Sequence, residues 1–165
     1  MNAEVSANRG KITGRLLVTV RSADGGLVAE RRAANMVLRN GAVIIAKLFS
    51  GAAGVTPINQ IQVGFATDSG TAELTALTPP DPALPVAALR GPVKAEDFHL
   101  ATDQPGEIQV SISTVFHPTQ DLPDVTEAGL LAGEDLYNHV VFEPLTLKTG
   151  QDITFFWQVN FPFGH

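Results

Sequence analysis

The clearest pattern in the chain is near its C-terminus, where Ile153, Phe155, Trp157, Val159 and Phe161 fall on alternate positions. Side chains at a period of two share one face of a strand, so residues 152–161 predict a half-buried strand that turns the only Trp of the chain toward a core. Just upstream, residues 125–142 carry two more strand signals joined by a turn at Gly133-Glu134-Asp135. A similar alternation begins the chain, with Ile12, Gly14, Leu16, Val18 and Val20 on one face. Ser22-Ala23-Asp24-Gly25-Gly26 follows, and Asp-Gly-Gly between two β-rich runs predicts a hairpin turn because Gly accepts positive φ. Residues 27–33 are then the returning strand, and Glu30, Arg31 and Arg32 suit an edge, where charge discourages wrong pairing.

The one helical pattern covers residues 41–50, with Val43, Ile44 and Leu48 as its apolar stripe. Asn40 is the expected N-cap and Gly51 the expected left-handed C-cap. Residues 58–66 predict a strand with Ile61, Val63 and Phe65 on one face. From 67 to 85 the composition turns to Thr, Ala, Asp and Pro, including Pro79-Pro80 and Asp81-Pro82. Proline lacks a ladder donor, so this is an excursion outside the sheets, and excursions of this length are usually functional or held by a neighbour. Pro79, Pro80, Asp81 and Pro82, together with Arg31 and Arg32, are therefore the candidate interaction residues. Residues 86–90 and 93–101 predict short strands broken at Gly91-Pro92. Residues 107–116 predict a strand with Ile108, Val110, Ile112, Thr114 and Phe116 inward, and residues 117–123 a loop. Eight or nine short strands and one helix, without strand-helix alternation, predict a mainly β, single-domain antiparallel β-sandwich of jelly-roll-like kind over residues 11–165. Residues 1–10 read as a flexible N-terminal arm.

A chain of 165 residues is long enough to bury a core without staples. Its 44% hydrophobic and 17% charged composition excludes a disordered protein, and the low charge predicts that partners cover part of the surface. The formal charge is −6 and the eleven Lys and Arg are scattered, which argues against nucleic-acid or anionic-lipid binding. The longest nearly apolar run, residues 42–49, is interrupted by Lys47 and is far too short to span a bilayer. The N-terminal residues lack the apolar stretch of a secretory signal, so synthesis and folding are expected in the cytoplasm.

The chemistry-bearing residues form no pattern of a known reaction. Absence of cysteine removes thiolate ligands and nucleophiles. His99, His117, His139 and His165 show neither His-x-His nor i, i+4 spacing, and are expected to be surface or capping residues with no metal bound. Asp121, Asp124 and Glu127 lack the glycine and alternating Asp or Asn of a calcium loop, and read as a solvated loop. Asp81, Glu96 and Asp97 have nothing in the sequence that pairs them as glycosidic acid and base. Asp68-Ser69-Gly70-Thr71 has the form of an aspartic-protease motif but lacks its required second Asp motif, and reads as a turn. No phosphate loop, dinucleotide fingerprint or nucleophile elbow is present. The expectation is a protein that is not an enzyme and takes no cofactor.

Two blocks carry a resemblance. Asn35-Met36-Val37 followed by Asn40-Gly41, the helix ending Lys47-Leu48-Phe49-Ser50-Gly51, and residues 58–64 form the first. The second runs from Glu127-Ala128-Gly129-Leu130 through Leu136-Tyr137-Asn138 and Phe142-Glu143-Pro144 to Gly150, Ile153-Thr154-Phe155 and Trp157. These blocks resemble small structural proteins of tailed bacteriophages and related contractile particles. The resemblance implies a virion or tail component present in many copies, whose partners are copies of itself and other particle proteins. It implies synthesis in the host cytoplasm, assembly into the particle, and no catalytic residues. The alternative is a carbohydrate- or receptor-binding β-sandwich module.

Overall fold

The computed structural model describes residues 10–164, so all but the last residue of the expected arm over residues 1–10, and His165, lie outside the described residues. Two antiparallel sheets and one helix form a β-sandwich. Strands β1 (Thr13–Arg21), β2 (Leu27–Ala34), β3 (Met36–Val37) and helix α1 (Arg39–Ser50) come first. After them lie β4 (Gln60–Gly64), β5 (Arg90–Pro92), β6 (Phe98–Ala101), β7 (Glu107–Phe116), β8 (Leu122–Ala132), β9 (Asp135–Leu136), β10 (Asn138–Leu147) and β11 (Asp152–Pro162). The first sheet has the order β2-β1-β11-β7-β6 and the second β3-β10-β8-β4-β5, with β9 paired to β8.

The alternation read in β11 places that strand at the centre of the first sheet, between β1 and β7. Ile153, Phe155 and Trp157 are fully buried and Val159 nearly so. Phe155 stacks on Trp157 with ring centroids 5.8 Å apart, and Phe116 meets Phe155 edge-on at 6.3 Å, the two arrangements that the aromatic quadrupole favours. Leu16, Val18 and Val20 from β1 and Ile112 and Phe116 from β7 complete this side of the core. The second sheet answers with Ile61, Val63, Ala128, Leu130, Val140 and Phe142.

The chain passes from the first sheet to the second between β2 and β3, at Asn35. Its backbone N–H donates to the Gly14 carbonyl at 3.0 Å, and its side chain fills the space over Gly14 that a Cβ would need. The same flank of the sandwich is tied by Arg31, whose Nε and Nη2 donate to the carbonyls of Glu143 and Pro144 at 3.1 and 3.0 Å. These carbonyls lie where the register of β10 against β8 shifts, and such a shift leaves backbone acceptors without a ladder partner.

Three local expectations are corrected. The residue before α1 is Leu38, without a side-chain cap, and Asn40 lies inside the first turn, where its Nδ2 donates to the Leu136 carbonyl at 3.4 Å. An orphan N–H at this end, that of Arg39, is met by the Ala72 carbonyl at 2.8 Å instead. Residues 86–89 form a 3-10 turn, Val86–Leu89, and the expected break at Gly91-Pro92 is itself strand β5. That strand is an edge, where a missing N–H costs no ladder bond, and a Cβ at Gly91 would press on the Phe116 ring at 3.1 Å. Residues 117–123 are not all loop, since β8 starts at Leu122. The left-handed Gly51 (φ 65°) ends the helix as expected, with the N–H of Ala52 returning to the Lys47 carbonyl at 3.0 Å.

Gly41 is buried in α1, and a Cβ there would collide with the backbone carbonyl of Tyr137. Helix propensity favours Gly41→Ala by about 1 kcal/mol, whereas the collision opposes it. Denaturant titration should show Gly41→Ala less stable by about 2 kcal/mol; a neutral or stabilising result would mean the helix is not seated on Tyr137.

Candidate functional site

The second sheet carries a polar cluster that no spacing in the sequence announces. On β8 the residues Ala128, Leu130 and Ala132 face the shared core, so Glu127, Gly129 and Leu131 face the other way. That outward face is covered by the excursion of residues 67–85. Leu77 packs there with Leu38, Leu131 and Leu136, and Leu74 lies against them. The Phe65 N–H donates to the Thr78 carbonyl at 3.0 Å, and the Thr126 hydroxyl to the Ala66 carbonyl at 2.7 Å. The proline-rich segment therefore lies as a strap across its own sheet.

Beneath the strap, Glu127 is fully buried and His139 is 3% exposed. Glu127 Oε2 lies 2.6 Å from His139 Nε2, and Oε1 accepts from the Thr78 backbone N–H at 2.5 Å. One carboxylate thus fastens β10 to β8 on one oxygen and the strap on the other. Gly64 on β4 leaves the room, because a Cβ there would overlap the carboxyl group. Beside the pair, buried Asn138 accepts from the Leu130 N–H at 2.8 Å. The carboxylate therefore has the partners of a clamp, with both oxygens taken.

This corrects two expectations. His139 is a buried member of a pair, not a surface histidine, and Glu127 belongs to a buried strand, not to a solvated loop. Asp121 is exposed and accepts from the Thr149 N–H at 3.0 Å, and Asp124 takes a positive φ of 58°. His99 is exposed, and His117 lies 3.5 Å from Asp152 at the surface. Asp97 accepts from the Lys94 N–H, closing a short 3-10 turn. Asp68 accepts from the Gly70 N–H at 2.8 Å, an Asx-type turn as read. Among the described residues no group of three or more His, Asp or Glu side chains converges on a common point, and no helix is long and apolar enough to cross a membrane.

The candidate interaction residues fall in two places. Pro79, Asp81 and Pro82 are exposed on the outer side of the strap and Pro80 is half-buried. Arg31 spans to β10, whereas Arg32 is exposed and pairs with Glu30 at 2.9 Å. At the rim of the strap Arg90 meets Glu134 at 2.8 Å, and this hydrogen bond and charge hold the Glu134 carboxyl below its usual range. Comparison with family models, with curated proteins and with solved structures finds no match to the chain.

Two measurements probe this region. Replacing Glu127 with Ala strands the buried imidazole of His139 and removes the acceptor of the Thr78 N–H, a loss of about 3–5 kcal/mol. Thermal unfolding should fall by roughly 10 °C; a change of only a degree or two would remove the clamp from the account. Tyr137 is the only tyrosine, and burial pushes its phenol up to about 12. The folded state then holds a proton that the unfolded chain releases near pH 10, so this contribution is complete below pH 10 and is lost as pH rises toward 12. Ultraviolet titration of phenolate absorbance should have its midpoint near 12 in the folded protein, and a midpoint near 10 would show that the ring is open to water.

Proposed function

We propose that the chain is a non-enzymatic structural subunit of a multi-copy particle, of the kind built by tailed bacteriophages and related contractile particles. It works through contacts between copies and with other particle proteins. It is made in the host cytoplasm and taken into the particle as it assembles.

The observation that carries this reading is where large apolar side chains stand in water. Leu27 and Val28, 58% and 54% exposed, lie at the hairpin end of the first sheet, beside Arg21 and Asp152. Leu100 and Phe163, 60% and 53% exposed, lie at its other end, beside Val110 and Gly106. Single exposed apolar residues are ordinary, but a pair at each end of one sheet is the layout of a repeated contact. The two ends differ, so contact between them is head-to-tail and yields rings or stacks. Phe49, 93% exposed on the last turn of α1, adds a third contact point. The resemblance of residues 35–65 and 125–161 to phage structural proteins gives the setting.

Light scattering and sedimentation over a concentration series should show self-association. Leu27→Ser with Val28→Ser removes one end, and Leu100→Ser with Phe163→Ser removes the other. Each double variant should be monomeric alone, and the two mixed should form a dimer that grows no further. A wild-type protein that stays monomeric at every concentration would overturn the assembly reading.

A further inference from the structure

The outer faces of the two sheets are treated differently. The second is sealed by the strap, whereas the first faces water across β1, β11 and β7. Register fixes what that open face presents. Leu17 of β1 lies opposite Phe156 of β11, and Phe156 opposite Ser113 of β7. In the next row Arg15 faces Gln158 and Gln158 faces Ser111, and beyond it Thr13, Asn160 and Gln109 align. The pavement is therefore hydroxyls and amides around one half-buried aromatic ring.

Three properties make this more than a solvated face. A groove of about 750 Å³ lies over β1, β2 and β11 on this face, within the range of roughly 300–1,000 Å³ usual for ligand sites. Lys11, Arg15 and Arg32 line the groove and no Asp or Glu does, although the chain carries 17 acids against 11 bases. Glu30 at the margin pairs with Arg32, and Arg15 has no ion pair among the described residues. The amides are also pre-set: Gln158 Nε2 donates to Gln109 Oε1 at 3.3 Å, and Gln109 Nε2 donates to Asn160 Oδ1 at 3.0 Å. This chain leaves an acceptor on Gln158 and a donor on Asn160, and holding both in place lowers the ordering cost of binding.

We propose that this groove binds a carboxylate-bearing saccharide. The sugar ring lies on Phe156 and Leu17, its hydroxyls bridge Gln158 and Asn160, and its carboxylate meets Arg15 and Lys11. Hydroxyl groups both donate and accept, which matches the free acceptor of Gln158 and the free donor of Asn160 better than an acidic peptide does. Three cations are too few for the multiple phosphate contacts of a nucleic acid. The groove opens on the face of the sheet, and its Lys11, Thr13 and Asn160 lie at the end that also carries Leu100 and Phe163.

The test is titration of the full chain with oligogalacturonate and with sialyllactose, followed by calorimetry and by backbone amide shifts. Maltotriose and poly-glutamate serve as the neutral-sugar and acidic-peptide arms. At least one acidic saccharide should shift the resonances of Arg15, Gln158 and Asn160 and bind at least about tenfold more tightly than maltotriose, with affinity falling as salt rises. Arg15→Gln, at an exposed position, should weaken it by about tenfold with an unchanged melting temperature. Phe156→Ser should abolish it, with amide spectra confirming the fold. The proposal is overturned if neither acidic saccharide binds, if maltotriose or poly-glutamate binds as well, or if Arg15→Gln leaves affinity unchanged.

Discussion

The carboxylate of Glu127 is the interaction on which the outer half of the molecule depends. It sits in a strand buried on both faces, where an unpaired charge would be prohibitive, and both of its oxygens are used. Other features follow from satisfying it. Gly64 lacks a side chain so that the carboxyl group fits, and the strap crosses the sheet at the level where the Thr78 N–H meets Oε1. The strap then offers the Ala72 carbonyl to Arg39, so the helix starts on a backbone partner with no side-chain cap. A polar contact made in one strand thus fixes a 19-residue excursion and the entry of a helix.

The two sheets solve the problem of their outer faces in opposite ways, and the sequence of each central strand says which. Strand β11 alternates strictly, with Ile153, Phe155 and Trp157 inside and Thr154, Phe156 and Gln158 outside, because its outer face meets water. Strand β8 is buried continuously from Glu127 to Ala132, because the strap covers it. Continuous burial requires apolar or paired residues on both faces, and Leu131 and Glu127 are those two solutions side by side. One face is covered by the chain's own strap, and the other stays open to water.

Legibility in the sequence tracks the range of the causative interaction. Strands β1, β7 and β11 and the Gly51 cap were readable because side-chain period and glycine conformation act within a few residues. Strand β5 was not, because the tolerance for Pro92 comes from its edge position, a property of the sheet and not of the tripeptide. Asn40 is not the cap because the helix starts one residue earlier, at Arg39, whose N–H is met by the Ala72 carbonyl from the strap. Glu127 and His139 are 12 residues apart and look like two ordinary surface residues. Only the antiparallel register of β8 against β10, which sets Glu127 opposite Val141 and Ala128 opposite Val140, brings the carboxylate beside the imidazole. One signal was available: a glutamate in an otherwise uncharged run, Glu127 to Ala132, is costly unless paired.

The geometry also bears on how assembly and ligand binding would coexist in one subunit. In the proposed assembly, association through the sheet ends would extend the particle along the strand direction, since Leu27 and Val28 stand at one end of the first sheet and Leu100 and Phe163 at the other. The groove over Phe156 opens on the face of the first sheet and reaches the end where Thr13 pairs with Asn160. The groove would then lie beside each junction, and each added copy would repeat it at a fixed spacing. Repetition matters for a shallow polar site, because weak single-site binding to a polymer becomes strong when several sites engage one chain at once. A subunit with a sealed interior and an open, weakly basic face fits that arrangement better than it fits high-affinity capture by one copy alone.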